Sequence, residues 1–260
     1  MIRGIWPLLI ALTAACLAPG IAAAQSVPPV PAPGKSIADC TAPDRYLAPK
    51  IPLRRSAEAL RAAHRLRVLV FSSVRMPAVT ESVEAKRYPA TLAQALTARF
   101  PGIEVSLTNK IEARAGIAES LQGLREELAA KPYDLVIWQL GSTDVLRGTD
   151  MHLFEMKLAG GIGEIRSRHA DAIVMSMQYS PRTDFMFDAG PYLQYLRWTA
   201  KMEGAALFNR YDIMRYWVED GLFDLSELQP GASIFEDVHR CVGQLLMRFI
   251  ANGIAAPETQ

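Results

Sequence analysis

Four short stretches gather the side chains that could do chemistry. They are Phe71-Ser72-Ser73-Val74; Ala113-Arg114-Ala115-Gly116; Gly141-Ser142-Thr143-Asp144, which runs on into Val145-Leu146-Arg147-Gly148; and Glu236-Asp237-Val238-His239. A hydroxyl, an imidazole and a carboxylate form an activated nucleophile when a fold brings them together. Each residue also has a plainer use. Ser73 can cap a turn or a helix. Glu236 can be an acidic charge at a helix N-terminus. Thr143 and Asp144 can cap the turn that follows them. Arg147 reads as one half of a structural ion pair, and Arg114 as either a solvated loop charge or an anion-binding group. His64, His152 and His169 are scattered and show no metal-ligand spacing. Gly160-Gly161-Ile162-Gly163 lies inside a helical pattern rather than between a strand and a helix. No metal and no cofactor is therefore implied.

The elements that must position these residues follow from periodicity. Short β-rich runs at 67–71, 104–108, 134–140, 172–177 and 206–208 alternate with helical patterns at 88–100, 117–130, 151–169, 191–203, 211–217 and 234–252. A short helix is expected near 55–64. Such alternation implies right-handed crossovers and a five-stranded parallel sheet with helices on both faces, a three-layer α/β/α, flavodoxin-like fold. Ligands of such sheets sit outside the carboxyl ends of the strands. Three of the four stretches follow the expected ends of the first three strands, and the fourth leads into the last helix.

In order and spacing the stretches resemble the SGNH/GDSL hydrolases, in particular an exported bacterial branch with degenerate motifs. The nearest match is Leu135-Val-Ile-Trp-Gln-Leu-Gly141 with Val145-Leu-Arg-Gly148; Tyr88-Pro89 and Gln178-Tyr-Ser-Pro181 also fit. The resemblance runs from about residue 40 to about 250. It implies acyl transfer at an ester carbonyl. Ser73 would be the nucleophile, His239 the base within hydrogen-bond reach, and Glu236 the acid that orients it. Thr143, Arg114 and the Gly141 segment, with the Ser73 N–H, would face the oxyanion. Phe71 stands where the family has glycine, Arg114 where it has an oxyanion glycine, Thr143 where it has asparagine, and Glu236 where it has aspartate. Losing one oxyanion donor typically costs about 10²–10³ in rate. Two functions follow: a weakly active hydrolase of small-molecule or glycan acyl or acetyl esters, or a catalytically impaired relative that binds a glycan, acyl or anionic ligand in the same cleft.

Composition sets the frame. The 260 residues suffice for one sizeable core. Half are apolar and the formal charge is +1, with no basic stripe, so nucleic acid is not an expected partner. Arg3, an apolar run from Ile5 to Ile21 and Ala22-Ala23-Ala24 read as a signal peptide over 1–24, placing the mature protein in the periplasm or outside the cell. The run is broken and short for a membrane span of roughly 20 residues. Lipid attachment at Cys16 is disfavoured because Leu12-Thr13-Ala14-Ala15 fits a lipobox poorly. Residues 25–65 read as a Pro-rich leader and an arm, and 66–254 as the hydrolase-like domain. Removing Cys16 leaves Cys40 and Cys241, which an oxidising compartment would join or which stay as two buried thiols.

Overall fold

The computed structural model describes residue 1 and residues 40–74, 81–226 and 233–256. The expected signal peptide and the Pro-rich part of the leader lie outside the described residues.

Five strands form the sheet: β1 (Arg65–Val74), β2 (Glu104–Ala113), β3 (Leu135–Gln139), β4 (Asp171–Met175) and β5 (Ala206–Phe208). Their order is β2-β1-β3-β4-β5 and every pairing is parallel. The helices are α1 (Arg54–Ala63), α2 (Glu81–Glu84), α3 (Tyr88–Arg99), α4 (Ile117–Ala130), α5 (Ser142–Arg147), α6 (Met151–Ser167), α7 (Pro181–Met186), α8 (Gly190–Met202), α9 (Arg210–Glu219) and α10 (Ser233–Ala255). Parallel pairing demands that both sheet faces be covered. One face carries α1, α3 and α10, which pack together; the other carries α4, α6 and α8. β3 is accordingly buried along its whole length.

Two close approaches fix these layers. A Cβ on Gly161 of α6 would fall 2.2 Å from the Trp138 ring, so only glycine lets α6 sit on β3 there. Within the Gly160–Gly163 run only Gly161 makes such an approach. On the opposite face, a Cβ on Gly243 of α10 would fall 2.8 Å from the Thr91 side chain and 2.9 Å from the Tyr88 carbonyl of α3.

Cys40 and Cys241 are bonded, which ties the start of the described 40–74 segment to α10 across a separation of 201 residues. The arm is held further by the Trp217 indole N–H, which donates to the Thr41 carbonyl at 2.7 Å, and by the Asn252 amide, which donates to the Leu47 carbonyl at 2.8 Å.

Two strands differ from expectation. β1 and β2 pair as far as Val74 and Ala113, several residues beyond the ends anticipated at Phe71 and Thr108. Ser73 is thus a strand residue opposite Glu112 rather than a residue of the loop after the strand. The apolar Val74 and Ile111 continue the ladder, and no proline or glycine interrupts 109–113.

Candidate active site

The strand order reverses between β1 and β3, and a cleft of about 590 Å³ opens there at the carboxyl ends of the strands. Ser72, Ser73, Tyr88, Gln139, Arg210 and His239 all border it. A second cavity of about 530 Å³, beside Tyr46, Trp198 and Phe249, borders none of these residues.

Strand pleating decides which way each hydroxyl points. Phe71 and Trp138 are register partners and both meet the α4–α6 face, at Gly123 and Gly161. Successive side chains alternate. Ser72 and its partner Gln139 therefore face α3 and α10, and Ser73 faces α4. The contacts agree. Ser73 Oγ donates to the Ala115 carbonyl just before α4 and lies 3.4 Å from Thr143 Oγ1. The Tyr88 hydroxyl donates to Gln139 Oε1 at 2.9 Å.

His239 is buried on the α3–α10 side, with the Phe235 ring 4.3 Å and the Tyr88 ring 6.2 Å away, centroid to centroid. Its Nδ1 accepts the Tyr88 backbone N–H at 3.2 Å. Burial, then the nearby Arg210 and Arg87 charges, hold its pKa well below the usual imidazole value. The ring is neutral at pH 7, and the Tyr88 bond places its proton on Nε2. The imidazole thus offers the cleft a donor. Taking a proton at Nε2 would require giving up the Tyr88 bond. Contrary to expectation, Ser73 and His239 border the cleft from opposite sides of the sheet and do not hydrogen-bond each other: the serine is bonded to Ala115 on the α4 side, the imidazole to Tyr88 on the α3–α10 side.

Glu236 stands away from His239. It forms an exposed ion pair with Lys86, while Asp237 pairs with Arg240 at 3.1 Å. The physical reason is the rotation of α10. Phe235, four residues before His239, takes the inward position over the ring and turns Glu236 outward.

The remaining candidates build the wall behind Ser73. Thr143 is buried in α5. Gly141 precedes α5 at φ 102°, and a Cβ there would fall 2.8 Å from Met177 Cε. Arg114 is exposed with φ 60°, the left-handed conformation that favours the glycine of the family pattern. Its carbonyl accepts from Arg147 Nη2 at 2.8 Å, and Arg147 Nη1 reaches Glu119 at 3.0 Å. Asp144, 1 % exposed, accepts the Ile117 N–H at 2.9 Å and the Thr149 hydroxyl at 3.0 Å. Asp144 and Arg147 therefore fasten α5 to the loop that precedes α4.

Sequence reasoning assigned no role to the polar cluster on the His239 side. Arg210 opens α9 directly after β5, so its place at a strand's carboxyl end was the available signal. It donates from Nη1 to Gln139 Oε1 at 3.3 Å and from Nη2 to Gln178 Oε1 at 2.9 Å. Gln139, Gln178 and Tyr88 lie within the matching sequence blocks and here acquire partners.

Comparison with known proteins agrees with this architecture. The family model described as a non-GDSL lipase-like family matches residues 39–256. A search of curated proteins returned no match. A lipase/acylhydrolase from Enterococcus faecalis superposes with a TM-score of 0.58 at 16% identity, over 75% of this chain and all of that one. An acetylxylan esterase, Axe2, from Geobacillus stearothermophilus gives a TM-score of 0.56 at 15% identity, over 72% and 93% of the two chains. AlinE4, an SGNH-hydrolase family esterase, gives 0.50 at 21% identity, over 67% and 90%. These likenesses establish the SGNH hydrolase fold. With its family model spanning most of the sequence, the chain belongs to the non-GDSL lipase-like family.

Proposed function

We propose that the protein is an exported hydrolase of acyl or acetyl esters with slow turnover, in which Ser73 is the nucleophile and His239 the base. The observation that carries this reading is that the serine pair and a neutral imidazole border one cleft at the strand-order reversal, Ser72 on the His239 side and Ser73 on the α4 side. Axe2 and AlinE4, which share the fold, are esterases. The Cys40–Cys241 bond supports an oxidising destination, periplasmic or extracellular. Among the described residues no helix is long and apolar enough to cross a membrane.

Slowness follows from the resting hydrogen bonds. To act as base, His239 must release the Tyr88 N–H, leaving a buried donor unpaired at a cost of about 1–3 kcal/mol. That corresponds to a penalty of about 5- to 150-fold. Ser73 must likewise leave the Ala115 carbonyl and turn from the α4 side towards His239. The family's asparagine donor is replaced by Thr143, which lies behind Ser73 rather than along the cleft wall.

The same bonds favour a second reading, a catalytically impaired protein that keeps the cleft for binding. The two separate on hydrolysis of a short activated ester by the purified mature chain, by Ser73→Ala and by Ser72→Ala. The hydrolase reading expects turnover that Ser73→Ala abolishes and Ser72→Ala retains. Equal background rates for all three leave the binding reading.

A further inference from the structure

Arg210 is 2 % exposed, borders the cleft and opens α9. A guanidinium that deeply buried normally has an anionic partner. Here its acceptors are two neutral amides, Gln139 and Gln178, and its Nε–H is buried with no acceptor. Its charged and titratable neighbours are Tyr88, Arg87 and His239. The guanidinium carbon lies 5.5 Å from the centre of the Tyr88 ring.

The carboxylates bordering the cleft have other partners. Glu84 forms an ion pair with Arg87 at 3.4 Å and accepts from the Asn109 amide, although its Oε2 makes no hydrogen bond, and Asp184 accepts the Tyr211 hydroxyl. The described residues bordering the cleft hold three guanidiniums (Arg87, Arg182 and Arg210) against the two carboxylates Glu84 and Asp184. The excess is one positive charge. The neutral His239 adds a hydrogen-bond donor and no charge of its own.

We propose that the cleft receives a single carboxylate on Arg210, so that its ligand is a carboxylate-bearing ester rather than a neutral one. This rests on the ester reading above and specifies its substrate class. The buried, unpaired Nε–H of Arg210 is the donor assigned to that carboxylate, and Gln139 and Gln178 hold the guanidinium plane in place. Desolvation makes such a charged contact selective, because an uncharged group of similar size leaves the guanidinium without a counterion. An excess of one charge matches a monoanion better than a dianionic phosphate.

The test compares monomethyl succinate with dimethyl succinate, two small esters that differ in one carboxylate, by isothermal titration against the full chain at low salt. The half-ester is expected to bind at least about tenfold more tightly, as one charge-assisted contact would give, and to weaken as salt rises. Arg210→Gln should abolish the preference, with circular dichroism confirming its fold. Equal affinities in the wild-type protein, or no binding of the half-ester, would overturn the proposal whether or not the variant folds. A preference retained in a folded Arg210→Gln protein would overturn it too. Ester turnover that depends on Ser73 is read separately, so failure of the hydrolase reading leaves this comparison intact.

Discussion

The environment of His239 makes a prediction that needs no substrate. The ring is enclosed by Tyr88 and Phe235, accepts a backbone N–H and lies near two guanidiniums, all of which oppose protonation in the folded chain. In the unfolded chain the imidazole titrates near 6.5. Above that value both states are neutral and the group adds no pH dependence. As the pH falls below it, the unfolded chain takes up a proton that the folded chain refuses, and stability drops. If the folded ring stays neutral, one proton accounts for at most about 1.9 kcal/mol between pH 7 and pH 5. Urea unfolding of the wild-type protein and of His239→Gln at both pH values isolates this contribution, because the other titrating groups are common to both chains. The wild-type protein should lose up to about 1.9 kcal/mol more than the variant on acidification. Equal losses would show that the folded ring protonates as freely as the unfolded one, and the account of a neutral, donating imidazole would fail.

Two further perturbations test the frame around the cleft. Reduction, or Cys40→Ala with Cys241→Ala, releases a loop of about 200 residues and should lower stability by up to about 5 kcal/mol in the loop-entropy model; an unchanged denaturation midpoint would mean the bond contributes nothing to the fold. Asp144→Ala leaves the Ile117 N–H and the Thr149 hydroxyl without their acceptor and should cost about 2–4 kcal/mol in chemical denaturation, whereas Asp144→Asn, which keeps an acceptor oxygen, should cost less; equal losses for the two would show that charge rather than geometry holds α5.

Most of the architecture was legible because strands and helices differ in period. The five strands and the long helices fall where the apolar residues repeat, and parallel order follows from their alternation. The short α2, α5 and α7 were not, since four to six residues complete too few turns to show a period. Of the candidate site residues, Ser73 and His239 border the cleft while Glu236, Thr143, Arg114 and Gly141 do not, and no orientation was legible. Whether Ser72 or Ser73 faces α10 depends on where β1 stops, because continuing a strand by two residues fixes the pleat for both hydroxyls. Whether Glu236 or Phe235 sits over His239 depends on the rotation of α10, which packing against α3 decides. Arg210 lay outside every recognised block. A single arginine after a three-residue strand carries no pattern until the fold buries it beside Gln139.

The claim on which the account rests is that Ser73 can be activated in this cleft. Treating the protein with an organophosphonate serine probe and mapping the adduct by peptide mass analysis tests it most directly. The account predicts slow modification of Ser73, absent from Ser73→Ala and slowed in His239→Gln. No adduct under conditions that label an active SGNH esterase, or an adduct on Ser72 in place of Ser73, would contradict it.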